Sequence, residues 1–357
     1  MNVFLLISLI ILGVIFPKSK LLFFLIGIYL ICVIGLRTKG FDYFFYQIEY
    51  LTAPSIYYKN ADFPGWNLLM NLFIKNGIVF NRFIFIVALL SVCFLLTALY
   101  LIGSELGGYI TFALSIFLIY PFGHEAVQTR TFLADGLILI ALIFLLRVKG
   151  GTKQRIFDYS IYFILIFISL MIHTLAVYFL FIGLIYILLS HFKYEFQIVI
   201  GSAIVLFLLI NTGLLGNIVV TFLNTNKLDH WVSNNNLSLG KFIPIIIILI
   251  IWYITRKELE TFKRNYIDLN LNTLYLINVQ RFMDTLFLLV PLMSYDITFN
   301  RLWRIYLYIF YLLTGEYIYG LGKKISYERL FVGGLFVVVL IFIVIYENEI
   351  SVIGSFL

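Results

Sequence analysis

Apolar runs long enough to cross a bilayer recur along the whole 357 residues, separated by short polar breaks. A hydrocarbon core needs about 20 apolar residues per helix, and lipid offers backbone amides no partner, which leaves only helices or closed barrels. Runs such as 243–253 and 330–346 are apolar on every face, whereas a barrel strand alternates apolar and polar over about ten residues. That excludes the barrel. With 62% hydrophobic and 12% charged residues, against roughly 25% charged in soluble domains, a water-soluble globule is excluded as well. The expected fold is all-α, a polytopic integral membrane helical bundle forming one domain over residues 1–357.

Apolar windows place spans near 2–16, 20–36, 83–103, 108–122, 131–147, 157–172, 174–190, 196–222, 242–255, 269–293, 302–320 and 330–346, about twelve transmembrane helices in all. The first is short, but it lacks the basic flank and small-residue cleavage site of a signal peptide and is expected to be retained. Asn211, Gly213 and Gly216 can break the eighth. Cys32 and Cys93 both fall inside spans, without metal or disulfide spacing.

The formal charge of +7 would suit a nucleic-acid partner, but most of the excess has another source. Lys18, Lys20, Arg147, Lys149, Lys153, Arg155, Lys193, Arg256, Lys257, Lys263, Arg264, Lys323, Lys324 and Arg329 sit in short turns beside span ends, where the positive-inside rule puts them on the cytoplasmic side. Both termini are then outside, with Glu347 and Glu349 in an acidic tail. Trp66, Trp231 and Trp303 mark the outer boundary and Trp252 the inner one. Two outer loops follow: residues 37–82, with an interfacial helix from Trp66 to Ile74, and the Asn-rich residues 223–241.

An ionised side chain at membrane depth costs at least about 2.5–3.5 kcal/mol, so each one near a span needs a reason. Arg37, Arg130 and His173 come from separate hairpins and Arg301 with Arg304 opens the eleventh span, where a helix including both would put them on one face; all five are expected at the outer boundary. Singly, an arginine there can snorkel to lipid phosphate and a histidine can serve packing. Together, on the side the positive-inside rule disfavours, they fit a shared polyanion such as a diphosphate, which the planar guanidinium binds through paired hydrogen bonds. Arg281 lies in the tenth span with Asp284 three residues on, spacing that suits a self-neutralising pair. The nearby acids are Asp42, Glu49, Asp62, Glu125 and Asp135, and His124-Glu125-x-x-Gln128-x-Arg130 is the densest polar cluster beside a span. With no HExxH, DxD or spaced histidine pair, neither a metal nor another cofactor is expected.

These residues resemble those of the EpsG-like, Wzy-type bacterial polysaccharide polymerases. The resemblance runs through Gly35-Leu36-Arg37, Asp42-Tyr43 with Tyr46, Pro64-Gly65-Trp66, Gln128-Thr129-Arg130 with Ala134, Ile172-His173, and Asn300-Arg301 before an aromatic helix. It departs from the family pattern at Gly40-Phe41, Phe63 and Thr131. It implies polymerisation of undecaprenyl-diphosphate-linked oligosaccharides on the outer face of the bacterial cytoplasmic membrane, by a multi-span, GT-C-like glycosyltransferase.

On that basis Arg130, Arg301 and Arg37 are expected to stabilise a lipid-diphosphate leaving group. Asp42, Glu125 and His173 are candidates for accepting the hydroxyl proton. Arg304, Arg281, Tyr43, Tyr46, Trp66 and Gln128 are candidates for binding substrate. The partners would be the lipid-linked donor and acceptor and membrane lipid, with a flippase and a chain-length regulator as candidate companions and no nucleic acid. The rival readings are a flippase, a glycan ligase, a transferase using a lipid-phosphate sugar, and a scaffold subunit. A flippase would favour paired repeats and midplane helix breaks, whereas here no repeat is found and charge concentrates at one face.

Overall fold

The computed structural model describes residues 3–39, 42–55, 63–147, 151–192, 195–212, 242–265, 272–293, 301–320 and 327–356, and these are helical with no strand among them. Loop 223–241, with Trp231, lies outside the described residues, as do Asp62 and Asn300. The helices are α1 (Val3–Ile15), α2 (Lys20–Gly35), α3 (Tyr43–Thr52), α4 (Pro64–Lys75), α5 (Phe80–Glu105), α6 (Ile110–Phe117), α7 (Phe122–Val127) and α8 (Thr129–Leu146). There follow α9 (Thr152–Ile172), α10 (Ala176–Leu189), α11 (Glu195–Asn211), α12 (Phe242–Arg264), α13 (Thr273–Met293, with a 3-10 stretch at Leu286–Leu289), α14 (Arg304–Tyr319), α15 (Tyr327–Tyr346) and α16 (Glu349–Phe356).

Among the described residues α5, α8, α9, α13 and α15 are long and apolar enough to cross a membrane, and α1, α2, α10 and α11 are shorter apolar helices. This is a helical membrane protein. Residues 108–122 depart from the expected single span. Helix α6 ends at Phe117 and covers only about 12 Å, and Pro121 precedes α7, because proline supplies no amide to continue the ladder.

Lipid is as apolar as leucine, so packing and polar links, rather than the hydrophobic effect, must join helices within a membrane. The sequence divides accordingly. Helix α14 is buried on all faces from Arg304 to Tyr317, with the aromatic rings of Tyr306, Tyr308, Phe310 and Tyr311 filling its surroundings. Helix α8 is nearly as buried and packs against α5 and α9. The peripheral α15 instead turns Phe331, Val338, Phe342 and Ile345 outward. The expected loop helix forms as α4, with Trp66 buried, and a second helix that was not expected, α3, buries Tyr43, Tyr46 and Tyr50 in the same small core.

Beyond α15, Asn348 takes a left-handed conformation (φ 54°), which asparagine tolerates better than most residues, and the chain folds back. Helix α16 then docks on α7, where Gly123 permits the approach, since a Cβ there would meet Glu349 Oε1 at 2.8 Å. The Gly123 amide donates to Glu349 Oε1, and His124 Nε2 lies 3.3 Å from Glu349 Oε2. The acidic tail is thus a docked element.

Burial pushes the Glu349 carboxyl up to about 8, against the Gly123 amide and Arg304, which favour its charge. The docked state therefore prefers the protonated acid, so docking is firmest below the ordinary value of 4.5 and weakens as pH rises through about 8. Hydrogen exchange over 349–356 should accelerate between pH 6 and pH 9 by more than the intrinsic base catalysis, and Glu349→Gln should remove that excess. An identical pH response in the variant would refute this assignment.

Candidate functional site

The site forms where five chain segments end together: the C-terminus of α2, the start of α3, the N-terminus of α8, the break between α9 and α10, and the turn before α14. His173 lies in the field of Arg130, Arg301 and Arg304, and Asp42 in that of Arg301, Arg37 and Arg130. The five basic candidates, drawn from four separate segments, therefore meet at one end of the bundle.

Their partners differ, and that separates their roles. Arg304, 3% exposed, points inward. Its Nη1 reaches Glu125 Oε1 at 3.2 Å and Gln128 Oε1 at 3.1 Å, joining α14 to the junction of α7 and α8. Glu125 Oε2 and Asp135 Oδ2 of α8 receive no N–H or hydroxyl donor among the described residues, and the two carboxyls lie close enough to hydrogen-bond to each other when one is protonated. Arg37 is also buried, and its fork caps the end of α7 by donating to the carbonyls of Ala126 and, at 3.1 Å, Val127, groups that a helix C-terminus leaves unsatisfied.

Arg130 opens α8 beneath the loop helices. Its guanidinium stacks on the Phe63 ring at 3.7 Å and lies 5.6 Å from that of Tyr46, while Nη1 donates to Glu49 Oε1 at 3.1 Å. Trp66 Nε1 donates to the other oxygen of Glu49, also at 3.1 Å. Pro64-Gly65 makes this possible by starting α4 against the end of α9, where a Cβ on Gly65 would sit 2.7 Å from that of Met171. Tyr43 lies in the field of Arg37, but its hydroxyl donates to Asn81 Oδ1 at 2.7 Å rather than to a site residue.

Arg301 stands apart. The expected helical pairing with Arg304 does not form, because α14 begins only at Arg304 and Arg301 sits in the 3-10 turn before it. Among the described residues Arg301 makes no hydrogen bond or ion pair. Burial and the neighbouring Arg304 lower its pKa, opposed by Asp42, Tyr46 and Glu125, so the site holds a cation that the described residues do not neutralise. Asp42 is the matching acid: it precedes α3 without capping it, and burial raises its pKa above the usual carboxylate range despite three arginines.

His173 stacks on Phe63, with ring centroids 5.8 Å apart, and its Nδ1 accepts the Leu175 amide at 3.2 Å. In the neutral ring that places the proton on Nε2. Burial, followed by the surrounding arginines, drives its pKa down to about 3, keeping it neutral at working pH. His173 is thus a hydrogen-bond donor at Nε2 and cannot accept a proton there without changing tautomer.

Arg281 is not brought to this site, and its expected pairing with Asp284 is replaced. Its Nε and Nη2 bind Glu195 of α11, each at 2.7 Å, while Asp284 pairs with Arg256 at 2.9 Å and accepts from Trp252 Nε1 at 3.1 Å. An acid presented by a neighbouring helix offered a bidentate geometry that a residue three places along the same helix could not. Arg281 also lies by Tyr186, about 15 Å along α10 from its start beside His173.

A model of the EpsG family matches residues 20–351. The chain belongs to the EpsG family. No curated protein and no solved structure matches it. Membership, with the apolar helices, makes it a polysaccharide-polymerase-like membrane protein, and the match runs from α2 into α16 and so covers every element that meets at the arginine cluster.

In the sequence Glu49 stands out only as a nearby acid, yet it holds both Arg130 and Trp66. Its position one helical turn after Tyr46 on α3 was the available signal.

Removing Arg304 strands the buried Glu125 carboxylate. Arg304→Met should therefore cost about 3–5 kcal/mol, read as a large fall in the melting temperature of the detergent-purified protein. Arg301→Ala removes an unneutralised charge and should change stability by no more than about 0.5 kcal/mol or raise it. Equal destabilisation by the two would contradict the division of roles.

Proposed function

We propose that this EpsG-family protein polymerises undecaprenyl-diphosphate-linked oligosaccharide repeats on the outer side of the bacterial cytoplasmic membrane. It would act as a GT-C-like glycosyltransferase with lipid diphosphate as the leaving group. The single observation that carries the reading is Arg301, a half-buried guanidinium without an ion pair among the described residues, set in the field of the uncapped carboxylate of Asp42.

In the reaction, a hydroxyl of the acceptor sugar attacks the anomeric carbon of the donor chain. The new glycosidic bond forms as the bond to the diphosphate oxygen breaks; the hydroxyl proton passes to Asp42, and the electron pair leaves on the diphosphate. Arg301 meets that developing charge, an electrostatic role that commonly contributes more to catalysis than any other. Arg130, whose Nε has no partner, supports it from the Phe63 stack. His173 donates from Nε2 to a phosphate oxygen. Burial raises the pKa of Asp42 and makes it a stronger base than an ordinary carboxylate, whereas Glu125 is wholly buried against Arg304. Arg37, Arg304 and Gln128 act as positioning residues, and Tyr46 and Trp66 shape the wall that holds Arg130. Tyr43 and Arg281 would serve the structure rather than the substrate.

Reconstituted protein given its lipid-linked repeat should produce a ladder of glycan lengths. Arg301→Ala should slow ladder formation by about 10²–10³-fold, and Asp42→Asn should abolish it. Wild-type activity should fall as the pH drops through the raised Asp42 value, with its acid limb above that of an ordinary carboxylate near 3.9. His173→Gln, which keeps a donor, should retain more activity than His173→Ala. Movement of the lipid across the bilayer with no change in glycan length would instead identify a flippase.

A further inference from the structure

At the same end of the bundle an apolar groove runs between α12 and α15. Its walls are Ile247 and Ile251 of α12, Met293 of α13, Leu307 of α14 and Ile343 of α15, together with Trp303. On either side α12 presents Ile246 and α15 presents Phe342 and Ile345 outward, so the groove opens sideways toward lipid. Tyr120, which also lines it, lies in the field of Arg304, and Trp303 is the residue before Arg304, so the groove adjoins the polar cluster.

Two observations say what the groove would hold. Trp303 is 4% exposed, and its Nε1–H has no acceptor among the described residues, a deficit that costs free energy in a buried site unless a ligand supplies the oxygen. Two residues earlier in the same turn is Arg301, a cation without an ion pair among the described residues. An apolar groove walled in part by a tryptophan whose buried N–H finds no acceptor among the described residues, two residues from a guanidinium without an ion pair among them, complements a long hydrocarbon chain bearing an anionic oxygen head. Glu347 at the rim is the one acid among the lining residues, and its carboxylate lies toward His124 at 3.8 Å.

We infer that this groove is the seat of the carrier lipid's polyprenyl chain, which enters between α12 and α15 and presents its diphosphate to Trp303 Nε1–H and Arg301. The inference rests on the polymerase reading for the identity of the lipid and adds where and from which direction it binds. It also assigns Trp303 a ligand-binding role.

The test uses the full chain in nanodiscs of phosphatidylethanolamine and phosphatidylglycerol, with a polyprenyl diphosphate carrying a diazirine on its hydrocarbon chain. After irradiation, labelled peptides should map to α12 and α15, and excess unlabelled undecaprenyl diphosphate should lower labelling at least about tenfold while added phosphatidylglycerol does not. Ile247→Trp, which fills the groove, should remove the competed label. Trp303→Phe, which keeps the ring and loses one hydrogen bond, should weaken competition by about two- to tenfold. Labelling of other helices, or labelling displaced equally by phosphatidylglycerol, would overturn the inference. The ladder assay on the same preparation separates the two claims: a ladder with no groove label defeats the groove alone, whereas specific groove label with no ladder upholds the groove and defeats the polymerase reading.

Discussion

The contact between Arg304 and the pair Glu125 and Gln128 is the constraint around which the rest is arranged. In a bilayer an unanswered charge has no water to fall back on, so this buried link obliges α14, α7 and α8 to meet at one point. Arg37 fixes the other side of α7 by holding its terminal carbonyls, and Glu349 fixes its first turn. A helix of six residues has too little internal stability to hold itself in place. It is held instead by three polar attachments from distant parts of the chain.

This arrangement leaves one guanidinium over. Three arginines are committed to the protein, to Glu125 and Gln128, to backbone carbonyls and to Glu49, and each commitment lowers what that arginine can offer a substrate. Arg301 has no such commitment among the described residues, and its surroundings oppose its charge. Charge that a fold tolerates without using is the usual mark of a site built for a ligand. It separates position 304, which the fold depends on, from position 301, which it does not.

Much of this was legible in the sequence. Hydropathy marks the spans because lipid forces backbone bonds inside each helix, and the boundaries agree closely for α1, α2, α8 and α15. The convergence of Arg37, Arg130, His173, Arg301 and Arg304 was legible too, since topology alone sends alternate span ends to one side. What pattern could not supply was partnership. Nothing in the spacing says that Arg281 prefers Glu195 to Asp284, that Arg37 would cap a helix, or that Arg301 falls outside α14. Those outcomes depend on which side chains lateral packing brings within hydrogen-bonding reach, and tertiary packing carries no periodic signature. Residues 108–122 misled for a related reason: continuous apolarity signals burial, and a buried break at Pro121 looks the same as a span.

The docking of α16 on α7 has a consequence for how the molecule is assembled. Gly123 and Glu349 are 226 residues apart, and a chain threaded into the membrane in order presents α7 long before its partner exists. Until α16 arrives, the short helix beside Glu125 lacks one of its three attachments, and the wall of the arginine cluster is incomplete. That wall is therefore completed late in biogenesis, only after the last span has been made.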